Sequence, residues 1–449
     1  MEDTTYNSLL INLAIASVIL PLINDAVDDD EVEAKHVGGT WRGRIQGSRT
    51  ATRMRLTVND IFASLGPSLT RRAYRMTETS FWKLFDMVEK KIPYPAVTRT
   101  HGGGTKNGFI SKASRLSMAI RYFAGGDPCD ICLVHQVCHA EFYRSVWIIV
   151  DAIHASNEFD IKFPSDYAMQ QQMAAKFSQK SSIGLTNCVG AVDGILIWTN
   201  RPSKDDLENL GFGPKKFFCG RKHKFGMNMQ AICGPDGKFL SVEIRHPGAT
   251  SDYLAFATSK INKVLSGRNP NDPSLPFLKG GLTIFGDNAY VNTNYMITPY
   301  KNVSSGPKDA FNFFQSQLRI NIECAFGILV HRWGILRKPM PINLTVGKIT
   351  SIVLCLCKLH NFCIGEKDVA AEAETDDNLN IMFSGGIHVN KNQAVEAIQI
   401  LLDGGNFVSG DHHPYFRRPV GDRGDQPADL MLKMIEREGY ARPRPKGTN

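Results

Sequence analysis

NCVGAVDGILIWT, residues 187–199, is the stretch on which the fold turns. It is apolar almost throughout and interrupted by one acid, Asp193. So short an apolar run reads as a buried strand. A carboxylate inside such a strand is costly unless it is paired or bound to metal. Downstream, FGMNMQAICG (225–234), a turn at Pro235-Asp236-Gly237 and KFLSVEIR (238–245) read as a hairpin. Ser251 to Leu265 has a helical pattern, and GLTIFGD (281–287) is a short apolar strand. Phe311 to Leu336 and Ile349 to Cys363 read as long helices. Three strands in series, then a helix, a strand and more helices predict an α/β domain over 184–365, a mixed sheet flanked by helices.

Upstream the period is helical. In residues 111–154, Leu116, Ile120 and Phe123 form one stripe, and Gly125-Gly126 stops it. Asp127-Pro128 opens a second helix, with Asp as cap and Pro at the first helical position. A turn near His139-Ala140 leads into a third, where Val146, Val150 and Ile153 share a face. Residues 111–180 are therefore helical and compatible with a helix-turn-helix, or with a plain bundle. Residues 1–110 form an N-terminal helical and linker region. TRRAYRMTETSFWKLFDMVEKKI (70–92) carries Phe81, Leu84, Phe85 and Val88 at helical spacing, with Thr77 or Thr79 as cap. Residues 36–55 and HGGGTKNG (101–108) have linker composition.

Leu9 to Ile23 is apolar but shorter than the ~20 residues of a spanning helix. Glu2 and Asp3 precede it and Asp28, Asp29, Asp30 and Glu31 follow, unlike a signal peptide. It reads as a helix packed on the body or on a partner in preference to a membrane anchor. Residues 366–449 are an acidic spacer and a Pro/Arg-rich tail, where partial disorder or loose docking is expected.

The 449 residues carry 52 Lys and Arg against 44 Asp and Glu, a net charge of +8. That excess fits a polyanionic partner without requiring one. Ten cysteines lie between Cys129 and Cys363, without the spacing of a small secreted disulfide scaffold, so reduced thiols in cytosol or nucleus are expected. Cys129, Cys132, His135, Cys138 and His139 imitate a zinc motif. On a continuous helix, Cys129 and His139 would be ~15 Å apart, too far to share an ion. These residues, and the group Cys355, Cys357, His360 and Cys363, are read as core.

Two further acids stand beside Asp193 in importance. Asp287 ends the strand TIFGD, and Glu323 lies in the helix QLRINIECAFGIL (317–329), 35 residues further on. Singly, each has an ordinary structural explanation. Asp193-Gly194 is a turn dipeptide, Asp287 a turn cap, and Arg319–Glu323 an i,i+4 ion pair. Converging at strand ends and an adjacent helix, the three would suit Mg²⁺ or Mn²⁺ and two-metal phosphodiester chemistry. Lys215, Lys216, Arg221, Lys222, His223 and Lys224, interleaved with Phe217 and Phe218, suit a nucleic-acid backbone with stacked bases. Arg319, His331 and Arg332 share the Glu323 helix and are placed by spacing near its acid face.

These motifs together resemble the PIF/Harbinger transposases and the nucleases derived from them. The resemblance rests on AVDGILI, FFCGRKHKFGMNMQAIC, HPGATSDYLAF, FGDNAYV, QLRINIECAFGILVHRWGIL and LCKLHNFC, in that order, over roughly residues 110–365. It implies an RNase H-like sheet and metal-dependent cleavage or strand transfer on DNA by a DDE triad of Asp193, Asp287 and Glu323. It also implies a nuclear setting, DNA as partner, and a separate Myb/SANT-like DNA-binding protein as a helper, and it is compatible with an oligomer. Asp252 falls in a family motif as an accessory acid, or as a helix cap. Leu196-Ile197 and Ala289 stand where His and Gly are common in the family, though no acid is lost. A domesticated DNA- or chromatin-binding protein that no longer cuts is the competing function.

Overall fold

The structure is a computed structural model. It describes residues 55–93, 109–203, 207, 213–270, 272–341, 344–368, 381–382, 388–389 and 426–443. The apolar segment Leu9–Ile23, the connector 101–108 and most of the linker 36–55 and of the acidic spacer lie outside them. The described residues divide into two compact units. One runs to Glu158 and includes Trp333–Ile335; the other comprises Phe159–Arg332 and the residues from Leu336 onward.

The first unit is helical: α1 (Val58–Tyr74), α2 (Glu78–Val88), α3 (Lys112–Phe123), α4 (Pro128–Val134) and α5 (His139–His154). Local sequence sets their ends. The Thr77 side chain accepts from Ser80 N to cap α2, and Asp127 accepts from Cys129 N at 2.7 Å to cap α4. The turn before α5 is at 135–138, so His139 begins the helix where the sequence suggested a turn. The stripe Leu116, Ile120 and Phe123 is buried, as are Phe142, Val146, Ile149 and Ile153 of α5. The Tyr74 hydroxyl meets Ser117 Oγ at 2.8 Å, and Ser117 Oγ lies 3.2 Å from His135 Nε2. Burial pulls the His135 imidazole down to about 3, so it sits in this core uncharged.

The second unit holds the mixed sheet. Its strands are β1 (Cys188–Trp198), β2 (Phe218–Cys219), β3 (Lys224–Cys233), β4 (Phe239–Pro247), β7 (Thr283–Phe285) and β8 (Met296–Ile297); β5 (Arg268–Asn269) and β6 (Asp272–Pro276) form a separate ribbon. The path runs β2-β3-β1-β7-β8, with β4 also paired to β3. β3 is antiparallel to both β1 and β4, whereas β7 runs parallel to β1 and β8 parallel to β7. Three antiparallel strands followed by two parallel ones, with helices packed on the sheet, make this the RNase H-like arrangement expected from the sequence.

Around the sheet lie α6 (Tyr167–Ser178), α7 (Asp252–Ala257), α8 (Lys260–Leu265), α9 (Pro307–Arg332), α10 (Val346–Gly365) and α11 (Pro427–Arg437). The single helix expected over 251–265 is two, because Ser259 restarts the chain as the cap of α8. α10 is long and apolar enough by composition to cross a membrane, yet Ile349, Val353, Leu356, Leu359 and Cys363 are buried in protein. Helix α11 lies in the tail that was expected to be loose. Ala428, Met431 and Ile435 join Phe311, Phe314 and Leu318 of α9 in one apolar cluster. Their i, i+3, i+7 spacing behind Pro427 is a helical signal hidden by the polar residues around it.

Candidate active site

Asp193 lies midway along β1, antiparallel to β3 and opposite Ala231. On the other side β1 is parallel to β7, where Ala191 pairs with Phe285. Asp287 lies two residues beyond Phe285, just past the end of β7, as Asp193 lies two residues beyond Ala191 within β1, and its charge reaches Asp193. Helix α9 packs against β1, and Gln315 Nε2 donates to Gly286 O at 2.7 Å, tying α9 to the backbone just before Asp287. Two turns further along α9 comes Glu323.

Arg319 joins these elements. Its guanidinium is hydrogen-bonded to Glu323 Oε1 and lies 3.9 Å from Asp193 Oδ2. The i,i+4 pair, whose spacing alone was equally compatible with an ordinary surface bridge, is thus drawn into the site, with Arg319 19% exposed and Glu323 22%. Asp193 Oδ1 accepts from Gly194 N at 2.7 Å, and Asp287 Oδ1 accepts from Ala289 N at 2.8 Å, so Asp287 also caps its turn. Burial, then repulsion from Asp287, pushes the Asp193 carboxyl up to about 8; Arg319 opposes the rise and Glu323 adds to it. Burial also raises Asp287. Burial would lower the Arg319 guanidinium, but Glu323 and Asp193 more than offset this and hold it above its ordinary value.

Asp252 lies near enough to Asp287 for its charge to raise that carboxyl, but it is placed differently from Asp193. A methyl placed on Gly194 would come 2.2 Å from Asp252 Oδ1, so Asp252 lies over Gly194. Side chains alternate along a strand, which puts Asp252 on the opposite face of β1 from the Asp193 side chain. Ser251, not Asp252, caps α7 by accepting from Leu254 N. Asp252 is free for a polar network that the sequence did not reveal. Its Oδ1 accepts from Asn228 Nδ2 at 2.9 Å and Gln230 Nε2 at 3.0 Å. Gln230 Oε1 accepts from the Tyr290 hydroxyl at 2.7 Å. The available signal was the pair Asn228 and Gln230, two polar residues at period two in an otherwise apolar strand.

The basic run forms a hairpin tip. Phe218 and Cys219 pair with Phe225 and Lys224, leaving Arg221, Lys222 and His223 in the turn, with His223 at φ 51°. Arg221 Nη2 lies 3.7 Å from Asp252 Oδ2 and its side chain is 72% exposed. Lys222, half-buried, is lowered by burial and by Arg221, with Asp193 acting in the other direction. Lys215 and Lys216 are exposed, and Lys224 Nζ lies 3.9 Å over the Trp198 ring. Phe217 is buried, leaving Phe218 as the exposed ring of the pair. Arg332 does not belong with the DNA-facing residues suggested by spacing: it is fully buried. His331 is held at Nδ1, 3.0 Å from Arg337 Nη2, which also donates to the His331 carbonyl. The cysteines Cys355, Cys357 and Cys363 are core residues, and His360 Nε2 lies 3.0 Å from Gly237 O. Cys129 and Cys138 are exposed thiols.

Among the described residues, no three His, Cys, Asp or Glu side chains stand close enough to hold a metal ion as they are placed. The donor set nevertheless suits a hard divalent cation, which takes carboxylate oxygens. Asp193 is a carboxylate raised by burial and then by its acidic neighbours despite Arg319, and additional positive charge is what would ionise it. Asp193, Asp287 and Glu323 are the residues that would hold such an ion.

The chain is 25% identical over 311 residues to Protein ALP1-like of Arabidopsis thaliana, covering 68% of this chain and 73% of that protein. No solved structure matches the chain significantly. Residues 192–361 match the family described as DDE superfamily endonuclease, and the span runs from the strand of Asp193 to Asn361 in α10. Over those residues the chain carries a DDE superfamily endonuclease domain.

Proposed function

We propose that this protein cleaves DNA phosphodiester bonds in a metal-dependent reaction of the transposase type, with Asp193, Asp287 and Glu323 as the metal-binding triad. The observation that carries the reading is the nearness of Asp193, on β1, to Asp287, just past the end of the parallel strand β7, with Glu323 joined to Asp193 through Arg319. Bound Mg²⁺ or Mn²⁺ would activate a water or a 3′-hydroxyl and stabilise the leaving oxygen. The chain's own contribution is orientation. β1 and β7 fix two carboxylates, α9 brings the third, and the Asn228–Gln230–Tyr290 network holds Asp252 and, beyond it, Arg221. The exposed cations Lys215, Lys216 and Arg221, with Lys222 and Lys224, would bind the phosphate backbone without regard to sequence. Kinship with the Harbinger transposases, a nuclear location and action beside a Myb/SANT-like DNA-binding protein belong to the same reading.

A second reading, DNA binding without cleavage, is favoured by one observation: no three acids stand at metal-holding distance among the described residues. Nicking of supercoiled DNA by the purified chain separates the two. Mg²⁺-dependent nicking that Asp193→Asn abolishes is the expected result. Binding of DNA with no nicking in Mg²⁺ or Mn²⁺, by wild type and variant alike, favours the second reading.

A further inference from the structure

Arg319 occupies the place where a cation is needed. It lies one turn before Glu323 on α9 and touches Glu323 and Asp193 together. Those two carboxylates belong to the set that a divalent ion would take. Arginine does not lose its proton in proteins, so it can leave them only by swinging away. Its planar fork then has one obvious next partner in a DNA-bound site, a phosphate, which it can hold by two parallel hydrogen bonds.

We propose that Arg319 is the resident counter-ion of the metal-free site and that metal loading transfers it from Asp193 and Glu323 to a DNA phosphate. The inference rests on the nuclease reading. Metal and Arg319 compete for the same oxygens, and carboxylates and phosphate compete for the same guanidinium. Metal and DNA therefore favour each other's binding, and the coupling is equal in both directions. The arrangement also accounts for the absence of a ready-made metal cluster among the described residues. The acids are spaced around a guanidinium rather than around an ion. The positive charge of the tip residues Arg221 and Lys222 adds to the same balance, because it acts on Asp287 and Asp193.

The test uses the full chain, with Mn²⁺ alone for metal binding and Ca²⁺ with a DNA duplex for binding without turnover. Without DNA, Arg319→Gln should bind Mn²⁺ at least about fivefold more tightly than wild type, the low end of ordinary coupling strengths. Removing any nearby positive charge favours metal, so DNA supplies the deciding readout. In wild type, Ca²⁺ should tighten DNA binding and steepen its salt dependence by about one neutralised phosphate, a slope change of about 0.9. In Arg319→Gln the slope should be the same with and without Ca²⁺. Arg319→Lys keeps the charge and should fall between the two in Mn²⁺ affinity, which covers the case of a poorly folding Gln variant. Mn²⁺ binding that is equal or weaker in Arg319→Gln, or a full Ca²⁺ effect on its salt slope, overturns the inference alone. A wild-type protein that binds no Mn²⁺ overturns the nuclease reading with it.

Discussion

Asp193 and Asp287 come close together because the parallel pairing of Ala191 with Phe285 precedes both by two residues, Asp193 further along β1 and Asp287 just past the end of β7. Neighbouring strands lie ~4.8 Å apart, so the register brings two like charges close together in a buried place. Loss of water first, and then repulsion from Asp287, favour the protonated form of Asp193.

This has a sign that can be measured. The Asp193 carboxyl is raised in the folded protein, so the folded state holds a proton that the unfolded chain releases. Its contribution is neutral well below the ordinary aspartate range. As pH rises from about 4 towards about 8 the metal-free protein loses stability. In EDTA, Asp193→Asn should therefore melt above wild type, by a margin that widens across this window. A margin independent of pH would show that Asp193 is not the titrating group. Wild type should also gain more from Mn²⁺ as pH rises, since metal binding displaces the proton.

Gly194 has no room for a side chain. A methyl there would come 2.2 Å from Asp252 Oδ1 and 2.4 Å from Gln230 Nε2. Gly194→Ala should cost about 1–3 kcal/mol, the usual range for overpacking, and should disturb Asp252 and its ion pair with Arg221. Urea unfolding measures the first effect. A variant as stable as wild type would mean that the Asn228–Gln230–Asp252 network is loose.

The hairpin tip can be tested by charge. Replacing Lys215, Lys216, Arg221 and Lys222 together by Gln should weaken binding to all DNA sequences. It should flatten the salt dependence by about 0.9 for each phosphate that is no longer neutralised. Binding titrations at several salt concentrations give the slope directly, and an unchanged slope would make the tip a solvated loop.

The tail helix is expected to be part of the folded core. Ile435 is fully buried against the α9 cluster, so Ile435→Ala should cost about 2–5 kcal/mol. Exposed Leu430 on the same helix serves as control, because Leu430→Ala should stay within about 0.5 kcal/mol. Equal effects of the two would mean that α11 does not dock.

The sequence by itself determined the elements whose signal is local. A short apolar run marked β1, two runs about the Pro235-Asp236-Gly237 turn marked β3 and β4, Asp127-Pro128 marked the start of α4, and an acid in a buried strand marked Asp193 as exceptional. Asp287 and Glu323 were legible as candidates because one ends a strand and the other rides a long helix. Tertiary structure decided what those signals leave open, since periodicity gives the face a residue points to but not the neighbour it meets. Arg319 and Glu323 at i,i+4 are compatible with a surface pair; β1, more than a hundred residues away, turns Arg319 into a bridge to Asp193. Spacing put Arg332 near the acid face, yet it is fully buried. Ser251 took the capping role open to Asp252, which left that carboxylate to Asn228, Gln230 and Arg221. In each case the outcome depended on desolvation and charge from chain segments remote in sequence, and those exist only once the sheet has closed around the site.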